Sequence, residues 1–152
     1  MRPLSLLLLV PFILVAGSIV LSSSKVEPSE DEIAIKAAIL DYVEGIYEMD
    51  TTRIYRSVHQ ELDKRGYYFL TDRDQYSTKL EMSFQELVNL TKDWNKNGQA
   101  GPDAAKKIDI YTIHDKTASA KLTAHWGIDF MHLAKIDDQW MIMNVLWQTP
   151  PQ

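Results

Sequence analysis

The sequence predicts an α+β domain. Segments of helical period come first, the period switches to two at Lys106, and polar turn pairs then recur between apolar runs to the end of the chain. Helices followed by a meander of strands argue against alternating βαβ units. The length of 152 residues suits one domain with a core of its own.

Residues 1–24 stand apart from that domain. Arg2 supplies a small positive start, Leu4 to Val15 is apolar apart from Ser5 and Pro11, and small residues follow at Ala16, Gly17, Ser18 and Ser22 to Ser24. This layout predicts a secretory signal, with cleavage after Ser18 or Ser24, and a secreted or periplasmic product. The alternative is an uncleaved N-terminal anchor, since Leu4 to Leu21 approaches the length of a membrane span; only then is a membrane expected as a partner. The chain has no cysteine, which excludes a lipoprotein anchor and a disulfide framework.

Residues 25–29 form a polar linker with Pro28, and 30–148 the folded domain, with 149–152 as a tail. Ser29 followed by Glu32 reads as a capping box. The first helix then buries Ile35, Ile39, Tyr42, Val43 and Ile46 at helical spacing. Asp50 to Thr52 ends it and caps a short second helix carrying Ile54, Tyr55 and Val58. Gly66 to Leu70 is rich in aromatics and reads as a strand, with a short return through Gln75 to Leu80. Ser83 and Glu86 form a second capping box, ahead of a helix with Phe84, Leu87, Val88, Thr91 and Trp94 on one face. Four strands follow: 106–114, 117–126, 128–136 and 140–148. Asp115-Lys116, Gly127-Ile128 and Asp137-Asp138 are placed at the hairpin turns.

Sixteen basic residues face 21 acidic ones, a net charge of -5; without residues 1–24 the chain loses Arg2 and no acid, giving -6. The longest basic runs are the pairs Lys64-Arg65 and Lys106-Lys107. An acidic surface repels phosphate backbones, so nucleic acid is not an expected partner. The chain has no P-loop, Rossmann glycine pattern or nucleophile elbow, and no cofactor is expected.

The stretch "LTAHWGIDFMHLAKIDDQWMIMNVLWQ" (Leu122 to Gln148) holds three of the four tryptophans and two of the four histidines. A two-residue turn at Gly127-Ile128 pairs Trp126 with Asp129. Alternation then puts Ala118, Ala120, Leu122, Ala124 and Trp126 on one face, with Asp129, Met131 and Leu133. The next hairpin adds Trp140, Ile142, Asn144 and Leu146. That face is apolar except for Asp129 and Asn144, a composition suited to a small-molecule pocket. A carboxyl among indoles is costly to charge, which suits a general acid or base. On that reading Asp129→Asn keeps the fold or stabilises it. The alternative is a solvated or ion-paired Asp129, for which the same change lowers the melting temperature.

His125 and His132 fall on the opposite face as diagonal neighbours, roughly 7–8 Å apart. With no HxH, no HExxH and no cysteine, no metal site is expected. This convex face, with Thr123, His125, Phe130 and His132, is the expected surface of a homodimer. His59 ends the second helix and is a second candidate acid or base; otherwise it is a helix C-terminal histidine. Arg65 is a candidate for a ligand anion, or a surface partner of Glu61 or Asp63. Tyr42, Tyr55 and Trp94 are ligand contacts or core.

The motifs "ILDYVEGIYEMD", "VHQELDKRG" and "ASAKLTAHWGIDFMHLAKIDDQWMIMNVLW", in this order of elements, resemble the nuclear transport factor 2-like superfamily, in its SnoaL-like branch and the subgroup labelled "putative lumazine-binding". The resemblance implies a cone: a curved antiparallel sheet wrapped around three N-terminal helices, enclosing a pocket. It implies no particular ligand or catalytic residue. Three functions are compatible with it: an exported small-molecule-binding protein; a cofactor-free isomerase, dehydratase or cyclase; or a dimeric interaction module with a vestigial pocket.

Overall fold

Ser29 starts the first helix. In the computed structural model, which describes residues 27–151, its hydroxyl accepts the Glu32 backbone N–H at 3.1 Å. Glu32 does not reciprocate; its carboxylate takes Lys36 at 2.6 Å, so the first capping box is half formed. The expected leader over residues 1–24 lies outside the described residues. Helix α1 (Glu30–Glu48) buries Ile35, Ile39, Tyr42, Val43 and Ile46 on one face. Asp50 caps α2 (Thr51–Ser57) through the Thr52 N–H at 2.8 Å. Both halves of the Ser83–Glu86 box form, and α3 (Phe84–Asp93) buries Phe84, Leu87, Val88 and Thr91.

Among the described residues there are eight strands: β1 (Val58–Tyr67), β2 (Phe69–Leu70), β3 (Gln75–Tyr76), β4 (Leu80–Met82), β5 (Lys106–Ile113), β6 (Thr117–Ala124), β7 (Gly127–Ile136) and β8 (Gln139–Gln148). Six form one sheet in the order β4-β1-β8-β7-β6-β5, and β2 and β3 make a separate hairpin. The helices pack on its inner face around a single core cluster. The sheet is antiparallel except at one place: β1 runs parallel to β8. The expected strand over 66–70 is instead split at Tyr68, and β1 begins eight residues earlier, at Val58.

Register decides which side chains point inward. The Asp137-Asp138 turn forms as expected, with both residues at positive φ, 47° and 61°. The preceding turn falls on His125-Trp126, because Ala124 pairs with Gly127. Gly127, at φ 135°, is needed not as a turn centre but for close approach: a Cβ there would strike the Gln148 carbonyl. Asp129 consequently pairs with Leu122 rather than Trp126. This shift moves the pairing by an even number of residues, so the faces are preserved. Asp129 stays inside, in line with Leu122, Trp147 and Gly66.

A bulge in β8 has the opposite effect. Leu133 pairs with Ile142 but His132 pairs with Asn144, leaving Met143 unpaired. One extra residue reverses the faces beyond it. Asn144 and Leu146, expected inside, lie on the outer face, and Val145 and Trp147 replace them within.

Candidate functional site

A cavity of about 120 Å³ lies between α1, α3 and the inner faces of β1 and β8. Tyr42, Lys64, Trp94, Trp126 and Trp147 line it, with Ile46, Met82, Leu87 and Leu90 closing the apolar remainder. Trp126 reaches it from the β6–β7 turn, and its ring meets those of Trp94, Tyr47 and Tyr42 edge-on at centroid distances of 5.3, 5.6 and 6.2 Å. Such pairs add to burial and hold the ring in one orientation.

The polar part of the site is a four-residue network. Lys64 Nζ donates to Tyr42 Oη at 2.8 Å, and Tyr42 Oη donates to Asp129 Oδ2 at 2.9 Å. Trp126 Nε1 donates to Asp129 Oδ1 at 2.8 Å. Lys64 Nζ stands 3.8 Å from Asp129 Oδ2, close enough for ion pairing but beyond a hydrogen bond. The ammonium also lies 5.5 Å from the Tyr42 ring centroid and 5.4 Å from that of Trp147. Asp129 is 0% exposed and the Lys64 side chain 7%. A buried carboxylate needs such donors, and among the described residues no buried side-chain polar atom lacks a partner.

Burial pushes the Tyr42 phenol well above its ordinary value, helped by the charge of Asp129 and the hydrogen bond to it. It therefore remains a proton donor at neutral pH. Burial lowers the Lys64 ammonium, against the pull of Asp129.

The residues named from sequence divide clearly. Tyr42, Trp94 and Trp126 line the cavity. Asp129 does not; it sits behind Tyr42 and Trp126 with both oxygens engaged. Asn144 is outside because of the β8 bulge, where it donates to the Asp63 carbonyl at 2.9 Å. His59 is on β1, not at the cavity rim, and its Nδ1 accepts the Glu61 N–H at 3.2 Å. Arg65 lies on the outer face, paired with Asp63 at 2.8 Å, because alternation along β1 turns it away from buried Lys64 and Gly66. Tyr55 is 51% exposed and packs on Phe84. His125 lies in the turn and His132 pairs with Ser119, so the two are not the diagonal neighbours expected.

Lys64 and Trp147 are the site residues that sequence reasoning missed. The available signal for Lys64 was the period-two run Leu62, Lys64, Gly66, obscured by its charged neighbours Asp63 and Arg65.

Comparison with solved structures shows the fold. A nuclear transport factor 2-like protein from Silicibacter pomeroyi matches with a TM-score of 0.63 at 16% identity, over 80% of this chain and 97% of that one. Another, from Shewanella baltica, gives 0.57 at 17% identity, over 83% and 100%. A ketosteroid isomerase-like protein from Erwinia carotovora atroseptica gives 0.54 at 14%, over 82% and 99%. No curated protein matches the chain. The family described as "Putative lumazine-binding" matches residues 30–148, the whole of the cone. The chain therefore belongs to that family, and its fold is the one seen in the nuclear transport factor 2-like structures.

Proposed function

We propose that this chain is an exported small-molecule-binding protein whose ligand enters the cavity between α1, α3, β1 and β8. One observation carries the reading: a tryptophan-lined space with a buried ammonium on its wall. Aromatic walls bind flat apolar groups, and one charged donor fixes their orientation. A vestigial pocket has no need to bury a lysine, which is costly to desolvate.

Size narrows the ligand. A cavity of about 150 Å³ holds one benzene ring, and this one measures about 120 Å³. A short chain or a single ring bearing one hydrogen-bond acceptor suits it with slight expansion. A two-ring heterocycle such as lumazine requires the cavity to open further.

The experiment is a titration of the purified chain with lumazine and with the single-ring lactam 2-pyridone, followed by tryptophan fluorescence and thermal melting. The reading expects quenching and a raised melting temperature, with 2-pyridone the better ligand. Leu90→Trp, which fills the cavity, should remove the response. An unchanged response in that variant, or none in the parent chain, would defeat the reading. Export rests on the layout of Arg2, Leu4 to Val15 and the small residues after them. The intact mass of protein from its native host tests it: a shortened chain supports export with cleavage, and a full-length membrane-extracted chain defeats it.

A further inference from the structure

Lys64 brings an amine to the cavity wall. Other lysines, such as Lys36, Lys79 and Lys121, form ion pairs with Glu32, Glu81 and Asp109 away from the cavity. Lys64 is the lysine that lines the cavity, and its Nζ makes a single hydrogen bond, to Tyr42 Oη. The carboxylate of Asp129 gives both oxygens to Tyr42 and Trp126 and meets the amine as a counter-charge at 3.8 Å, without a hydrogen bond.

We propose that the cavity traps small carbonyl compounds: Lys64 Nζ condenses with the carbonyl carbon of a short or single-ring aldehyde or ketone to form an imine. This rests on the reading of the cavity as a small-molecule site. The neutral amine attacks, the C–N bond forms, and the carbonyl π pair moves to oxygen. The oxygen gains one proton and the nitrogen loses one, giving a carbinolamine. The C–O bond then breaks, the hydroxyl departs with a proton as water, and the nitrogen lone pair closes the C=N bond. One carbonyl compound and one ammonium give one protonated imine and one water, with no oxidant or reductant; the proton the ammonium sheds before attack is the one that leaves with the hydroxyl.

Three features of the site serve these steps. Burial favours the neutral amine needed for attack. Tyr42 Oη, 2.8 Å from Nζ and 2.9 Å from Asp129 Oδ2, lies on a continuous proton path. A proton leaving nitrogen passes to Tyr42 as the tyrosine's own proton moves to Asp129, and the reverse transfer supplies the departing hydroxyl. The carbinolamine oxygen is two bonds from the nitrogen, within reach of the same phenol. Finally, a protonated imine carries the same single positive charge at the same place as the ammonium. Asp129 at 3.8 Å and the faces of Tyr42 and Trp147 stabilise either cation.

The test is reductive trapping. The full chain is incubated at neutral pH with limiting propanal and cyanoborohydride, then digested and mapped by mass spectrometry. The expected result is propyl addition at Lys64 ahead of every surface lysine, with slower addition at Lys64 in Tyr42→Phe. The site is read from the unmodified chain, so the assignment does not depend on Lys64→Arg folding. The titration with 2-pyridone runs in parallel. Binding of 2-pyridone with addition only at surface lysines overturns the imine and leaves the binding site standing. Neither binding nor addition at Lys64 overturns both. Addition at Lys64 at an unchanged rate in Tyr42→Phe overturns the role given to the phenol.

Discussion

Lys64 and Asp129 are a buried ion pair that does not meet directly: their charged atoms stand 3.8 Å apart, and the Tyr42 hydroxyl hydrogen-bonds to both. The carboxylate is therefore part of a structural network. Asp129→Asn offers one carbonyl oxygen to two donors and turns an amide toward one of them, while Lys64 loses its counter-charge. The variant is expected to lose about 3–5 kcal/mol of stability. Tyr42→Phe keeps both charges and loses one hydroxyl, at a smaller cost of about 1–3 kcal/mol. Denaturant unfolding of the two variants checks the ranking; an Asp129→Asn protein as stable as the parent would contradict it.

Gly66 makes room for Trp147. A Cβ at position 66 would overlap both the indole and the carbonyl oxygen of Trp147, its partner across the parallel β1–β8 pair. Gly66→Ala should cost about 1–3 kcal/mol by overpacking. It should also displace an indole from the cavity wall, changing the tryptophan fluorescence. Parent-like stability and spectrum would show that Trp147 has free space the packing does not reveal.

Asp31 ties the start of α1 to the sheet. Its Oδ1 accepts Lys135 Nζ at 2.9 Å and Trp140 Nε1 at 2.8 Å, and these bonds hold the carboxyl below its ordinary value. A depressed folded value means the stabilisation is present above the unfolded value, about 3.9, and fades as pH falls through the folded one. The parent should therefore be more stable than Asp31→Asn at neutral pH, with the gap shrinking below pH of about 4. Melting curves of both proteins from neutral to acid pH measure it; a constant gap would remove Asp31 from the account.

The outer sheet face exposes two apolar neighbours, Phe130 at 41% and Leu146 at 50%, directly paired across β7 and β8. Lys121 and Arg65 flank them in the same row. An apolar centre with a charged rim is suited to a symmetric partner. The expected assembly is a homodimer through this face, reduced to monomer by Leu146→Glu. Light scattering across concentration decides, and monomer at high concentration in the parent would end the proposal.

Local patterning determined much of this protein. Hydroxyl-to-carboxylate spacing marked the starts of α1 and α3, and the period-two alternation of β6 and β7 put Asp129 inside. That assignment survived a misplaced turn because an even register shift leaves faces unchanged. What alternation could not supply was the bulge at Met143, because "QWMIMNVLWQ" is apolar at nearly every step and either register reads equally well. Only pairing with β7 and β1 chose Trp147 for the cavity and Asn144 for the surface. Lys64 was hidden for a related reason. A lysine between Asp63 and Arg65 reads as solvated, and its burial depends on a carboxylate 65 residues away and a phenol 22 residues away, brought together by the curved sheet and α1. Charge burial is a property of the partners, and those partners are adjacent only in the tertiary structure.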